Sequence, residues 1–307
     1  MAALQVAIGC ETVSNQQLDL EPKARHNNYQ TENLVIVVID GPRFKETWGD
    51  PTKSNIPFLA NELAEVGIHY NRFYNRGATY TTSGHAAVTT GNYQWMSNDG
   101  SEIPFYPSIF QLWLSNTGLH SNQVQIITSK EKLRVLSDCV DPKWRGKFNP
   151  MVNAVNREDH ETLKEALTIM QQHHPKLALI HFRGPDFYGH ANHWENYINS
   201  IKETDRYTYD IWEYLQRDSV YRDKTTLVVT NDHGRHHDTV RDGFVSHGDF
   251  CEGCMHINFY TTGPDFHSNL VVNQPRQIVD LSATIAEIMG FKLPTSSGSI
   301  MWELFKE

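Results

Sequence analysis

Leu34-Val35-Ile36-Val37-Val38-Ile39-Asp40 is the stretch whose reading decides the fold. An unbroken apolar run rich in β-branched residues, without polar alternation, reads as a strand buried on both faces, as in parallel sheets. A carboxylate follows where that strand would finish. Leu227-Val228-Val229-Thr230-Asn231 repeats the arrangement and ends at Asp232. In open α/β sheets this edge is where ligands bind, so both acids are expected at one site.

Outward from Asp40, a loop holding Pro42, Gly49 and Pro51 leads to Ile56, Leu59, Leu63 and Val66 at helical spacing, closed by Gly67. The alternation continues with an apolar patch at Val124-Gln125-Ile126-Ile127, a helical stretch from about His160 to Gln172, and a strand from Leu177 to His181. A long helix is predicted from about Trp194 to Gln216, a strand at Ile257 to Tyr260, and a helix from about Ile278 to Met289. Strands alternating with helices imply a three-layer α/β/α sandwich around a mainly parallel sheet. The chain of 307 residues, 39% hydrophobic, reads as a polar N-terminal segment or tether over 1–33, without a core role, and one catalytic α/β domain over 34–307.

The net charge of −9, without a Lys/Arg run, argues against a nucleic-acid or anionic-membrane surface. Acidic substrates would need a metal or local basic groups. No apolar run is long enough to span a membrane. The N-terminus, ending its apolar part at Ala7-Ile8-Gly9-Cys10, looks like the end of a bacterial lipoprotein leader without the basic start. It suggests a lipid anchor at Cys10 and a periplasmic or cell-envelope location, with a frayed terminus and the cytoplasm as alternatives. Cys251-Glu-Gly-Cys254 stands without a second such pair, and is read as a local disulfide or two plain thiols rather than a metal site.

Eight of the 16 histidines fall between His181 and His256, a crowding expected around metal. Three carboxylates, Asp40, Asp186 and Asp232, would repel one another if gathered and buried without cations. Divalent ions remove that problem, and mixed Asp and His ligands suit zinc, with manganese or iron as alternatives. Asp186-Phe-Tyr-Gly-His190 spaces two ligands four apart, with Gly189 permitting a tight loop, and His247 is the natural third beside them. Asp232 and His233 are consecutive and belong at a strand end where the chain turns. Thr79-Tyr-Thr81-Thr82-Ser-Gly-His85 precedes small residues that suit a helix packed closely on the sheet, its positive end near the hydroxyls and able to cradle an anion. An ordinary Ser/Thr helix cap is the competing reading.

Taken in order, Asp40 after a strand, Thr-x-x-Gly-His, Asp-x-x-Gly-His at 186–190, Asp232-His233-Gly234 and the late His247-Gly248 resemble the alkaline phosphatase superfamily from about Leu34 to Gly290. The nearest likeness is to its type I phosphodiesterase/nucleotide pyrophosphatase and single-threonine phosphatase branches. That resemblance implies an alkaline phosphatase-like fold and a two-zinc phosphoric-ester hydrolase acting on a small-molecule phosphate ester. It places Asp186, His190 and His247 on one zinc, and Asp40, Asp232 and His233 on the other. Thr81 would be the nucleophile and a bridge to the second ion, passing through a phosphothreonine. Asn98, Lys130 and Lys132 would steady substrate oxygens, whereas Arg183, His193, His236 and His237 receive no direct role. The sulfatase branch carries Cys or Ser followed by Pro-Ser-Arg, where this chain has Thr81-Thr-Ser-Gly-His85. A sulfatase- or phosphonate-type hydrolase on the same centre, or a catalytically silent metal- or anion-binding relative, are the rival readings. Pocket walls are sought in the loops Arg43 to Pro51 and Asn92 to Pro107, with Trp48, Tyr93, Trp95, Phe105 and Tyr106 as candidate lining.

Overall fold

The computed structural model describes residues 28–306. Cys10 and most of the N-terminal segment lie outside them. The strands are β1 (Asn33–Ile39), β2 (Ile68–Tyr70), β3 (Phe73–Tyr74), β4 (Val124–Thr128), β5 (Met151–Ala154), β6 (Leu177–Phe182), β7 (Thr225–Thr230), β8 (His256–Ile257), β9 (Phe259–Thr262), β10 (Leu270–Val272) and β11 (Arg276–Gln277). The α-helices are α1 (Thr81–Thr90), α2 (Ile109–Thr117), α3 (Asp159–His173), α4 (Gly184–His190), α5 (Trp194–Arg217), α6 (Glu252–Met255) and α7 (Ile278–Ile288).

Eight strands form one sheet in the order β10-β2-β9-β7-β1-β6-β4-β5, and β11-β3-β8 form a small second sheet. In the large sheet β7, β1, β6, β4 and β5 run parallel, while β9 is antiparallel to both its neighbours. The run from Leu34 explains its own placement. Leu34, Ile36 and Val38 face a core shared with α1, α2 and α7; Val35, Val37 and Ile39 face another shared with α3 and α5. Both faces are therefore covered, which gives the expected three layers. Because β7, β1, β6 and β4 are adjacent and parallel, their C-terminal ends deliver Asp232, Asp40, Asp186 and Lys130 to one edge of the sheet.

Three local differences from the expectations have physical causes. The helix expected from Ile56 to Val66 is a wider π-helical turn, Phe58–Leu63, followed by the 3-10 turn Ala64–Val66. The Asp205 carboxylate takes the Phe58 and Leu59 N–H groups, and the Tyr260 and Thr262 hydroxyls donate to the Leu63 and Val66 carbonyls, competing with a regular ladder. Asp186 to His190 is not a loop but part of α4. Pro185 sits at its first turn, and Asp159 takes the Arg183 and Gly184 N–H groups at 2.8 and 2.7 Å. The end of the N-terminal segment is fastened to the domain: Thr31 is buried and its hydroxyl meets Asp265 and Thr226, while the Tyr29 hydroxyl donates to Glu287.

Candidate metal centre

Each candidate ligand arrives from an element whose sequence explains its position. Asp40 follows β1, Asp232 and His233 follow β7, and Asp186 and His190 share one face of α4, as residues four apart on a helix do. Gly189 serves close approach rather than a tight loop, since a Cβ there would stand 2.6 Å from the Arg235 guanidinium. Gly84 lets α1 press on the end of β7: a Cβ would lie 2.5 Å from the Asp232 carbonyl oxygen. The two triplets foreseen by resemblance are brought together. Asp186, His190 and His247 form one group and Asp40, Asp232 and His233 the other, with the candidate ligand atoms of each within 4.8 Å of one another.

The electrostatics of these groups show what they fit. The His233 Nδ1–H donates to the Gly234 carbonyl at 3.0 Å, so Nε2 presents a lone pair. That lone pair faces Asp40 Oδ1 at 3.4 Å and Asp232 Oδ2 at 3.3 Å, with no hydrogen bond. Asp40 Oδ1 and both Asp232 carboxylate oxygens are likewise buried without partners. Such a convergence of buried acceptors is costly unless a cation joins it. In the other group the His247 Nδ1–H donates to Thr79 O at 2.7 Å, leaving Nε2 turned toward His190 Nε2 at 3.0 Å and Asp186 Oδ1 at 3.3 Å. The donor sets thus fit two divalent ions. His190, with a half-exposed side chain, keeps that side open to solvent.

Two cations already stand in the centre. Lys130 donates to Asp40 at 2.7 Å and to Asp186 at 2.6 Å, and Arg235 donates to Asp186. Burial alone would raise the Asp40 and Asp186 pKa values, but Lys130 together with neighbouring imidazoles, and Arg235 beside Asp186, holds both below the usual carboxylate range. The same two carboxylates push the Lys130 pKa upward despite its burial. His181 Nε2–H donates to Asp40 Oδ2 at 2.9 Å, and burial lowers the His181 pKa to about 4, so it orients Asp40 as a neutral ring.

Of the candidate threonines, Thr79 donates to Asp249 O and Thr82 to Ser97 O, whereas the buried Thr81 hydroxyl has no hydrogen-bond partner. Thr81 opens α1, and His85, one turn on, bonds Thr81 O through Nδ1 and lies 3.3 Å from Asp232 Oδ2. Asn98 turns its side-chain oxygen to Thr82 N and to Lys132 Nζ, both at 3.1 Å. Lys130, Lys132, Arg134 and Arg183 line an open groove of about 750 Å³, with Asp99 and Glu131 as its acids. Among the proposed aromatic walls, Trp48 belongs instead to the core, stacked on His69 at 4.1 Å. Trp95 is exposed and meets Tyr80, whose ring lies 6.0 Å from His247.

A family profile described as Sulfatase matches residues 32–291. The chain belongs to the sulfatase family. A comparison with curated protein sequences gives no match. Solved structures share its fold at low identity. A protein in the alkaline phosphatase superfamily from Vibrio parahaemolyticus is 17% identical with a TM-score of 0.64, over 88% of this chain and 69% of its own. The phosphonate monoester hydrolase of Silicibacter pomeroyi is 14% identical with a TM-score of 0.64, over 88% and 76%. Murine ectonucleotide pyrophosphatase/phosphodiesterase 5 is 15% identical with a TM-score of 0.61, over 89% and 100%. This family member thus shares the fold of these structures and carries groups of side chains suited to divalent metal. No helix among its described residues is long and apolar enough to cross a membrane.

Proposed function

We propose that the protein hydrolyses a small-molecule phosphoric ester, monoester or diester, with Thr81 as nucleophile at a centre of two divalent ions, zinc by ligand type. The observation that carries this reading is the unpartnered, buried Thr81 hydroxyl at the positive end of α1, whose first turn abuts Asp232. Asp186, His190 and His247 would hold one ion, and Asp40, Asp232 and His233 the other. When bound, such ions lower the pKa of a hydroxyl and offset the charge of an attacked phosphoryl group.

Thr81 Oγ1 attacks phosphorus as the bond to the leaving oxygen breaks; an alcohol departs, the hydroxyl's proton ending on its oxygen, and a phosphothreonine stays on the chain. Water then attacks phosphorus as the bond to Thr81 Oγ1 breaks, freeing phosphate from a monoester or a phosphate monoester from a diester and restoring the hydroxyl. His181 keeps Asp40 oriented during both steps. Asn98, with its oxygen already engaged, has its NH₂ end for a substrate oxygen. Lys130 and Lys132 add positive charge on the groove side, and with Arg235 they make the ligated centre attractive to an anion in a chain that is acidic overall. The leader-like start, Met1 to Cys10, supports an extracytoplasmic location, periplasmic in a bacterium.

The Sulfatase profile favours a second reading, in which a sulfate or phosphonate ester is the substrate of the same residues. Initial rates on aryl phosphate monoesters, diesters, phosphonates and sulfates at matched leaving-group pKa decide between them. The phosphoester reading expects the highest kcat/KM on a phosphate ester, and exhaustive chelation should abolish it. Full turnover after metal removal would reject the mechanism.

A further inference from the structure

Beyond the two triplets, one cluster of metal-ligating side chains among the described residues is unused by this chemistry. His236, Asp249, Cys251 and Cys254 bring one candidate ligand atom each within 4.8 Å of the others. His236 and Cys254 are buried, whereas Asp249 and Cys251 are partly exposed. The cysteines are free thiols, so the disulfide alternative does not hold here. We propose that this cluster is a third, structural metal site for a thiophilic divalent ion, zinc by ligand class, bound by one imidazole, one carboxylate and two thiolates.

The histidine is set up for that task. His236 Nδ1 faces Asp242 Oδ1 and Ser246 Oγ, each at 3.3 Å, the arrangement in which a carboxylate holds the proton on one ring nitrogen and leaves the other as a ligand. Its Nε2 is buried without a hydrogen-bond partner, although Asp249 Oδ2 lies 3.2 Å away. That separation is close to the edge of a zinc coordination tetrahedron, roughly 3.3–3.8 Å for bond lengths of about 2.0–2.3 Å. Cys251 immediately precedes the short helix α6, and Cys254 follows one turn later, a spacing that presents two sulfurs to one point. Four protein ligands without an open position suit a structural rather than a catalytic ion.

What the ion would hold together is specific. His236 lies three residues after His233, and Asp249 two after His247, so the cluster ties the loop leaving β7 to the loop carrying the last catalytic-centre ligand. The two segments already touch: Gly234 N donates to Cys254 O at 2.8 Å, and His236 N donates to Ser246 O at 3.2 Å. A Cβ on Gly253 would collide with the Arg235 carbonyl oxygen, so only glycine permits the approach. A metal here would fix His233 and His247 relative to one another.

Cobalt(II) titration of the intact, reduced, metal-stripped protein tests the site without substrate. A near-ultraviolet thiolate-to-cobalt charge-transfer band is expected in the wild type, since neither triplet contains sulfur. Cys251→Ser/Cys254→Ser should lose that band, and His236→Gln should shift it, while metal content falls by about one equivalent per chain. Absence of the band in wild type, or a band that survives the double substitution, would overturn the proposal. Because the readout is the sulfur–metal bond, a failed phosphoester assignment would leave this result unchanged.

Discussion

At the residue scale the decisive test is Thr81. Thr81→Ala should lower kcat/KM by roughly a thousandfold or more while metal content stays unchanged, since the hydroxyl is the proposed nucleophile. Wild-type turnover in that variant would move the role to Thr79 or Thr82, which already spend their hydroxyls on backbone carbonyls. Asp40, Asp232 and His233 follow buried strands and Thr81 opens a helix, positions that the apolar runs and the small residues mark in the sequence; His190 ends α4 and His247 lies in a loop, and the resemblance pointed to them. His181 and Arg235 were not legible. His181 is a lone polar residue inside an apolar strand, where a satisfied core histidine is the ordinary explanation, and only its bond to Asp40 reveals the role. Arg235 follows Asp232-His233-Gly234 directly, but its reach to Asp186 depends on the fold of both segments. Two divalent ions would balance three carboxylates and an alkoxide, so Lys130 and Arg235 would leave the ligated centre with a net positive charge.

His69 provides a pH prediction at the same scale. Burial against Trp48, with Lys53 nearby, lowers its pKa to about 4. The unfolded chain, with His69 near its ordinary value of 6.5, takes up a proton that the folded chain refuses. Stability from this residue is therefore complete above about pH 6.5 and is lost as pH falls toward 4. Urea midpoints measured across that window should fall less steeply for His69→Phe than for wild type; parallel curves would contradict the assignment.

At the element scale, α1 depends on its closeness to the end of β7. Gly84→Ala places a methyl group against the Asp232 carbonyl, and should destabilise the protein by about 1–3 kcal/mol. It should also depress kcat more than KM, because the helix that carries Thr81 must move away from Asp232; unaltered kinetics and stability would show that the contact is tolerant. The long strands and helices were readable because a buried run or an amphipathic face leaves a periodic signal. Helix α5 spans Trp194–Arg217, against an expected end near Gln216. The strands β2, β3, β10 and β11 have at most three residues each, too few to show a period, and tertiary pairing defines them. Helix α4 was hidden for a related reason: a short helix with Pro and Gly looks like a turn until Asp159 is seen holding its first N–H groups.

At the scale of the whole molecule, metal binding should be visible as stability. The proposed ions bind acceptors that exist as a set only in the folded chain, so chelation should lower the melting temperature and metal should restore it in a concentration-dependent way. Differential scanning fluorimetry at several free zinc concentrations measures this, and an identical Tm throughout would argue that the buried acceptors need no cation. The three-layer class and parallel sheet were readable from alternation alone, but strand order was not, because it depends on which distant segments pair. Substrate class lies furthest from the sequence, since the basic groove is assembled from loops after β4, β5 and β6 whose shape no periodicity encodes.

The adjacency of β7, β1, β6 and β4 has a consequence for biogenesis. Asp40 is synthesised early and His247 late, and the strands between them pair out of sequence order. A ribosome-bound chain released before residue 247 lacks one ligand of the proposed pair of ion sites, whatever part of it has collapsed. Uptake of both proposed ions would thus register the arrival of the C-terminal third, whereas a product truncated before residue 247 would compete poorly for the ion that His247 helps to hold.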